Sequence, residues 1–105
     1  VLLGDKAVKS CLVPVGKMVG ESITTIEGLS EEGEFSVLQQ SFIDCFASQC
    51  GYCIPGFIMA ATSLLIENSD PTIQEIREGL SGNLCRCTGY VKIIDAVKQA
   101  AIKEA

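Results

Sequence analysis

Two cysteine pairs constrain this chain more than any other feature: Cys50-Gly51-Tyr52-Cys53 and Cys85-Arg86-Cys87, with 31 residues between them. Both lie in glycine-rich sequence, and a helix-like stretch follows each. The chain holds six cysteines and no histidine. Thiolate is the soft donor that soft metals and iron–sulfur clusters select, and two pairs supply the four ligands such a centre needs. The spacing alone leaves a structural zinc site open beside an iron–sulfur cluster. A redox-active Cys-x-x-Cys fits less well, because no βαβ pattern surrounds it. Six cysteines in 105 residues also fall short of a disulfide scaffold, which needs roughly 8–10%. A Cys85–Cys87 bond would close a very small, strained ring. Reduced thiols in a cytoplasmic setting are therefore expected.

A chain of 105 residues makes one domain, or one with a fragment of another. Its stability is on the order of 5–10 kcal/mol, small enough for four tied ligands to decide whether it folds. The formal charge of −5, without a basic cluster, argues against nucleic acid and anionic membranes. No apolar run approaches the ~20 residues of a membrane span, and the start lacks a signal-peptide layout. Histidine-based acid–base chemistry is excluded, and no Ser/His/Asp set, phosphate loop or carboxylate pair stands out. The opening Val1-Leu2-Leu3, without Met, suggests a trimmed or partly recorded chain.

Residues 1–27 read as strand: Val1 to Leu3, a turn at Gly4 to Lys6, then Ala7 to Val13, with Ser22 to Ile26 adding a β-branched run. Residues 28–34, with Glu31, Glu32 and Glu34, read as a polar linker. Four helices follow. Phe35, Leu38, Phe42 and Cys45 or Phe46 give the first an apolar face. The second begins after Cys53, where Pro55 suits the first turn, and runs through Ile58, Ala61 and Leu65 to Asn68. Thr72 to Glu75 forms a capping box for a short third helix ending at Gly82. The fourth starts near Gly89-Tyr90 and buries Ile93 or Ile94, Val97 and Ala101. Short loops between amphipathic helices imply an antiparallel bundle. Cys53 and Cys87 then sit at helix N-termini, where free N–H groups and the dipole favour thiolate. Gly51, Gly56, Gly82 and Gly89 would permit tight turns and close approach of amides to sulfur. Cys45 reads as a core residue.

Gln49 to Gly56 and Gly82 to Tyr90 closely resemble the two signature motifs of the iron–sulfur subunit of molybdenum hydroxylases. That family includes xanthine dehydrogenase, aldehyde oxidoreductase and aerobic carbon monoxide dehydrogenase. Ser10 to Leu12, Thr24 to Gly28 and Ile76 to Ile94 extend the resemblance over nearly the whole chain. It implies a mainly α fold: a four-helix [2Fe–2S]-binding bundle with approximate twofold symmetry over residues 35–105, held to its cluster by Cys50, Cys53, Cys85 and Cys87. It further implies that Gln49 and Cys87 lie against the molybdopterin of a large partner subunit. Electrons would pass through this cluster to a second one, and often to FAD on another subunit. Residues 1–27 resemble the tail of a plant-ferredoxin-like β-grasp domain. Cys11 matches the fourth ligand of that domain's cluster, whose other three would lie upstream of Val1. One cluster and unpaired strand edges are therefore expected of residues 1–105.

Overall fold

Side-chain caps decide where the two short helices of this computed structural model begin; the structure describes residues 1–104. Helix α1 (Val37–Asp44) starts at Ser36, whose hydroxyl accepts the Gln39 N–H while the Gln39 side chain accepts the Ser36 N–H. Helix α3 (Ile73–Gly79) repeats the device with Thr72 and Glu75. Each box satisfies two N–H groups that have no partner within the helix. Helices α2 (Ile54–Glu67) and α4 (Val91–Glu104) each follow a cysteine loop. The chain thus runs short helix, cysteine loop, long helix, twice over. The four helices pack as a bundle, with α1 lying most extensively on α4.

The core is apolar and shared by all four helices: Leu38 and Phe42, then Phe57, Ile58, Ala61 and Leu65, then Ile76, then Ile93, Ala96, Val97, Ala100 and Ala101. Ser41 and Gln39 are polar residues buried on α1; Ser41 is the deeper. It is fully buried where α1 meets α4 and donates its hydroxyl to the Ala96 carbonyl at 2.6 Å. Small residues at Ala96 and Ala100 suit the close packing of the two helices.

The apolar face expected of α1 is shorter than its sequence pattern. Phe35 precedes the Ser36 cap and Phe46 follows the helix, and both are exposed. The reason is the stop signal. Phe46 takes a left-handed φ of 54°, its N–H bonds the Ile43 carbonyl, and the Ala47 N–H bonds the Phe42 carbonyl. This is a Schellman closure with a bulky residue where glycine is usual. Phe46 is 75% exposed, so little packing compensates the left-handed backbone. Phe46→Gly is expected to stabilise the chain by about 0.5–1 kcal/mol, the net of relieved strain and a more flexible unfolded state. Chemical denaturation measures it, and a loss of stability would show that the Phe46 ring contributes packing.

Near the N-terminus, β1 (Leu2–Leu3), β2 (Lys6–Ala7) and β3 (Ile23–Thr24) form an antiparallel sheet in the order β2-β1-β3. Gly4, at φ +62°, makes the tight turn between β1 and β2. The extended run expected from Ala7 to Val13 ends early. After the Val8 N–H bonds the Val1 carbonyl, backbone groups find local partners in a 3-10 turn at Ser10–Leu12. The β2 edge is not left bare. Ala7 donates its N–H to the Ser63 hydroxyl (3.1 Å), which donates to the Asp5 carbonyl (2.9 Å). Lys9 reaches the Gly82 carbonyl at 2.8 Å. The small sheet is tied to α2 and to the loop ahead of the second cysteine pair. Leu2 is buried beneath it, and Ile26 and Leu29, in the 3-10 turn Ile26–Leu29, pack on the helical core.

Candidate metal centre

The two cysteine loops meet at one end of the bundle. Gly51, at φ +87°, turns the first loop between Cys50 and Cys53, a backbone state that a side chain disfavours. Gly56 works differently. A Cβ there would stand 3.0 Å from the Asn83 Oδ1, so its absence lets the second loop seat on the first turn of α2. The loops enclose an open pocket of about 390 Å³ lined by all four motif cysteines with Tyr52, Leu84, Arg86 and Tyr90. Cys53 and Cys85 are half-buried and packed against the core, whereas Cys50 and Cys87 are exposed.

Within this pocket the thiols influence one another most strongly in crossed pairs, one from each loop: Cys53 with Cys85, and Cys50 with Cys87. Among the described residues no three His, Cys, Asp or Glu side chains gather tightly enough to hold a single ion. Two pairs drawn from two loops fit a dinuclear cluster held by four thiolates, two to each iron.

The electrostatics differ from the helix-end expectation. Cys53 caps α2, yet burial first, and then its contact with Cys85, push its thiol up to about 11. Cys87 lies in the loop ahead of α4 rather than at its first residue, and its contact with Cys50 raises it. The favoured thiolate is Cys85, brought down to about 7 chiefly by the Thr88 hydroxyl and then the Thr88 N–H, which lie 3.1 and 3.4 Å from its sulfur. In cluster-free protein at pH 7, about half of Cys85 is therefore thiolate, and almost none of Cys53. Cys53 has the more nucleophilic thiolate, which offsets part of that gap. Iodoacetamide is expected to modify Cys85 roughly a hundredfold faster, with a rate that rises through pH 7. Peptide mapping after timed alkylation measures it, and equal rates would contradict the assignment.

Comparison with known proteins then decides the family. Residues 25–98 match the [2Fe–2S] binding domain. The chain belongs to that family. Over 100 residues this [2Fe–2S] binding domain protein is 48% identical to the nicotinate dehydrogenase small FeS subunit of Eubacterium barkeri, covering 95% of this chain and 64% of the relative. Its fold superposes on quinoline 2-oxidoreductase from Pseudomonas putida 86 with a TM-score of 0.91 and 46% identity, over 99% of this chain and 64% of that one. Aldehyde oxidoreductase from Desulfovibrio gigas gives a TM-score of 0.90 and 39% identity, over 95% of this chain but 11% of that one. The chain thus spans somewhat under two thirds of the length of the curated relative, and a small part of the larger enzyme.

Within this [2Fe–2S] binding domain protein the other sequence candidates are not among the residues lining the thiol pocket. Gln49 is exposed beside Cys50. Cys11 is exposed in its 3-10 turn and lines a separate cleft with Met59 and Asn83. Cys45 closes α1 and packs on the core. Among the described residues no helix is long and apolar enough to cross a membrane. Sequence reasoning missed Thr88 and Tyr90 as supports of the site. The Cys85 N–H donates to the Tyr90 hydroxyl at 2.9 Å, and the Tyr90 ring meets Phe57 edge-on with centroids 6.2 Å apart. The placement of a hydroxyl three residues after Cys85 was the one available signal for Thr88.

Proposed function

We propose that this chain is the electron-transfer iron–sulfur subunit, or part of it, of a molybdenum-containing hydroxylase or dehydrogenase. The carrying observation is the gathering of Cys50, Cys53, Cys85 and Cys87 around one pocket, in a protein whose relatives are small FeS subunits and oxidoreductases. The residues fit a [2Fe–2S] cluster by donor chemistry, since all four candidate ligands are thiols on two glycine-shaped loops. When bound, the cluster supplies one-electron transfer. The protein's own part is to hold the thiols in place on capped, packed helices, so that a change of charge moves little. No bond-making residue is assigned to this chain.

The exposure of the site supports a partner. Cys50 and Cys87 face outward, and the rim carries Tyr52 and Leu84, 94% and 82% exposed. Large exposed apolar side chains around a functional pocket suit burial against another protein. On this reading Gln49 and Cys87 lie toward the molybdopterin of a large subunit. A second cluster, completed by Cys11 with residues ahead of Val1, and FAD on another subunit carry electrons onward in the cytoplasm. Residues 1–27 then belong to a ferredoxin-like domain, 28–34 to a linker and 35–105 to the cluster-binding bundle.

The test is chemical. Residues 1–105, reconstituted anaerobically, are expected to hold about two irons and two sulfides per chain, with visible absorption that bleaches on reduction. Purification from the native source is expected to bring down a larger molybdopterin-containing subunit. A colourless, zinc-loaded chain would replace this reading with a structural zinc site held by the same four cysteines.

A further inference from the structure

The segment after Cys87 is folded back on Cys85 in a way that packing alone does not require. Gly89 and Tyr90 both have left-handed φ, 72° and 75°, and for Tyr90 that backbone costs energy. The fold-back makes a closed set of hydrogen bonds. The Tyr90 N–H donates to the Thr88 hydroxyl oxygen at 3.1 Å, and that hydroxyl donates its own proton to the Cys85 sulfur at 3.1 Å. The Thr88 N–H also points at the same sulfur (3.4 Å), and the Cys85 N–H donates to the Tyr90 hydroxyl at 2.9 Å. A hydroxyl that accepts one hydrogen bond and donates the next is polarised along the chain, which strengthens the donation at its end. Strained backbone held by such contacts is characteristic of functional positions.

We propose that Thr88 is a positioning residue that sets the reduction potential of the cluster by donating its hydroxyl proton to Cys85, with the left-handed Tyr90 aiming it. This rests on the reading of Cys85 as a cluster ligand. A donor on a ligand sulfur stabilises the reduced state, which carries one more negative charge, over the oxidised one. Removing it makes reduction harder. Valine keeps the shape of threonine without its hydroxyl, and serine keeps the hydroxyl without the methyl, so the two variants separate the two groups.

The reconstituted chain is titrated potentiometrically, with iron counted in each variant. Thr88→Val is expected to keep about two irons while its one-electron equilibrium shifts about tenfold toward the oxidised form, which is about 59 mV lower in potential. Thr88→Ser is expected to restore the wild-type value. Deuterium exchange, read by electron–nuclear double resonance on the reduced protein, should find one strongly coupled exchangeable proton fewer in Thr88→Val than in wild type. An unchanged potential in Thr88→Val with full iron overturns the proposal and leaves Cys85 as a ligand. If Thr88→Val cannot hold iron, the wild-type and Thr88→Ser spectra decide: without a matching exchangeable coupling in both, the proposal fails. Full iron in Cys85→Ala would instead overturn the ligand reading beneath it.

Discussion

Cys53→Ala and Cys87→Ala are each expected to drop iron from about two per chain to near zero and to destabilise the fold by several kcal/mol. Each breaks one crossed pair and leaves three thiols where the cluster needs four. Metal binding and folding share one free energy in small domains, because the unfolded chain offers no preformed site. Cys45→Ala and Cys11→Ala are the controls. Cys45 packs on the core at the end of α1 and Cys11 is exposed in a separate turn. Both variants should keep about two irons, with Cys45→Ala costing on the order of 1–2 kcal/mol. Iron analysis with thermal unfolding reads both effects. Loss of iron from Cys45→Ala, or its retention in Cys53→Ala, would overturn the ligand set.

The second large effect is expected at Phe57. This ring is 1% exposed on α2, directly below the cysteine loops, and the Tyr90 ring rests edge-on against it. Phe57→Ala should cost about 3–5 kcal/mol through lost transfer energy and the cavity left behind. That is a large share of the stability of a chain this size, and the midpoint should fall by at least about 12 °C. The variant should also loosen the Cys85 N–H bond to the Tyr90 hydroxyl, since the ring that braces Tyr90 is gone. Tyr52→Ala is the contrast: at 94% exposure it should stay within about 0.5 kcal/mol of wild type. Equal losses at both positions would mean that burial at this end of the bundle does not govern stability.

Much of the architecture was legible because it is local. Thr72 with Glu75 is a three-residue spacing that names a helix start by itself, whereas the matching Ser36–Gln39 box emerged only in the structure. The stripe Ile54, Ile58, Ala61, Leu65 is a helical period that found its core. The cysteine pairs announced a soft-metal centre through residue type and spacing. Only the tertiary structure decided the rest. It ended α1 at Asp44, leaving Phe35 and Phe46 exposed, because a cap and a left-handed closure outweigh a continuing apolar period. It tied the small sheet to α2 through Ser63, a contact across 56 residues that no local pattern encodes. It crossed the thiols between loops rather than within them, and it gave the favoured thiolate to Cys85 instead of the helix-end Cys53. Burial and a neighbouring hydroxyl act over a few ångströms, and those neighbours exist only once the two loops have been brought together.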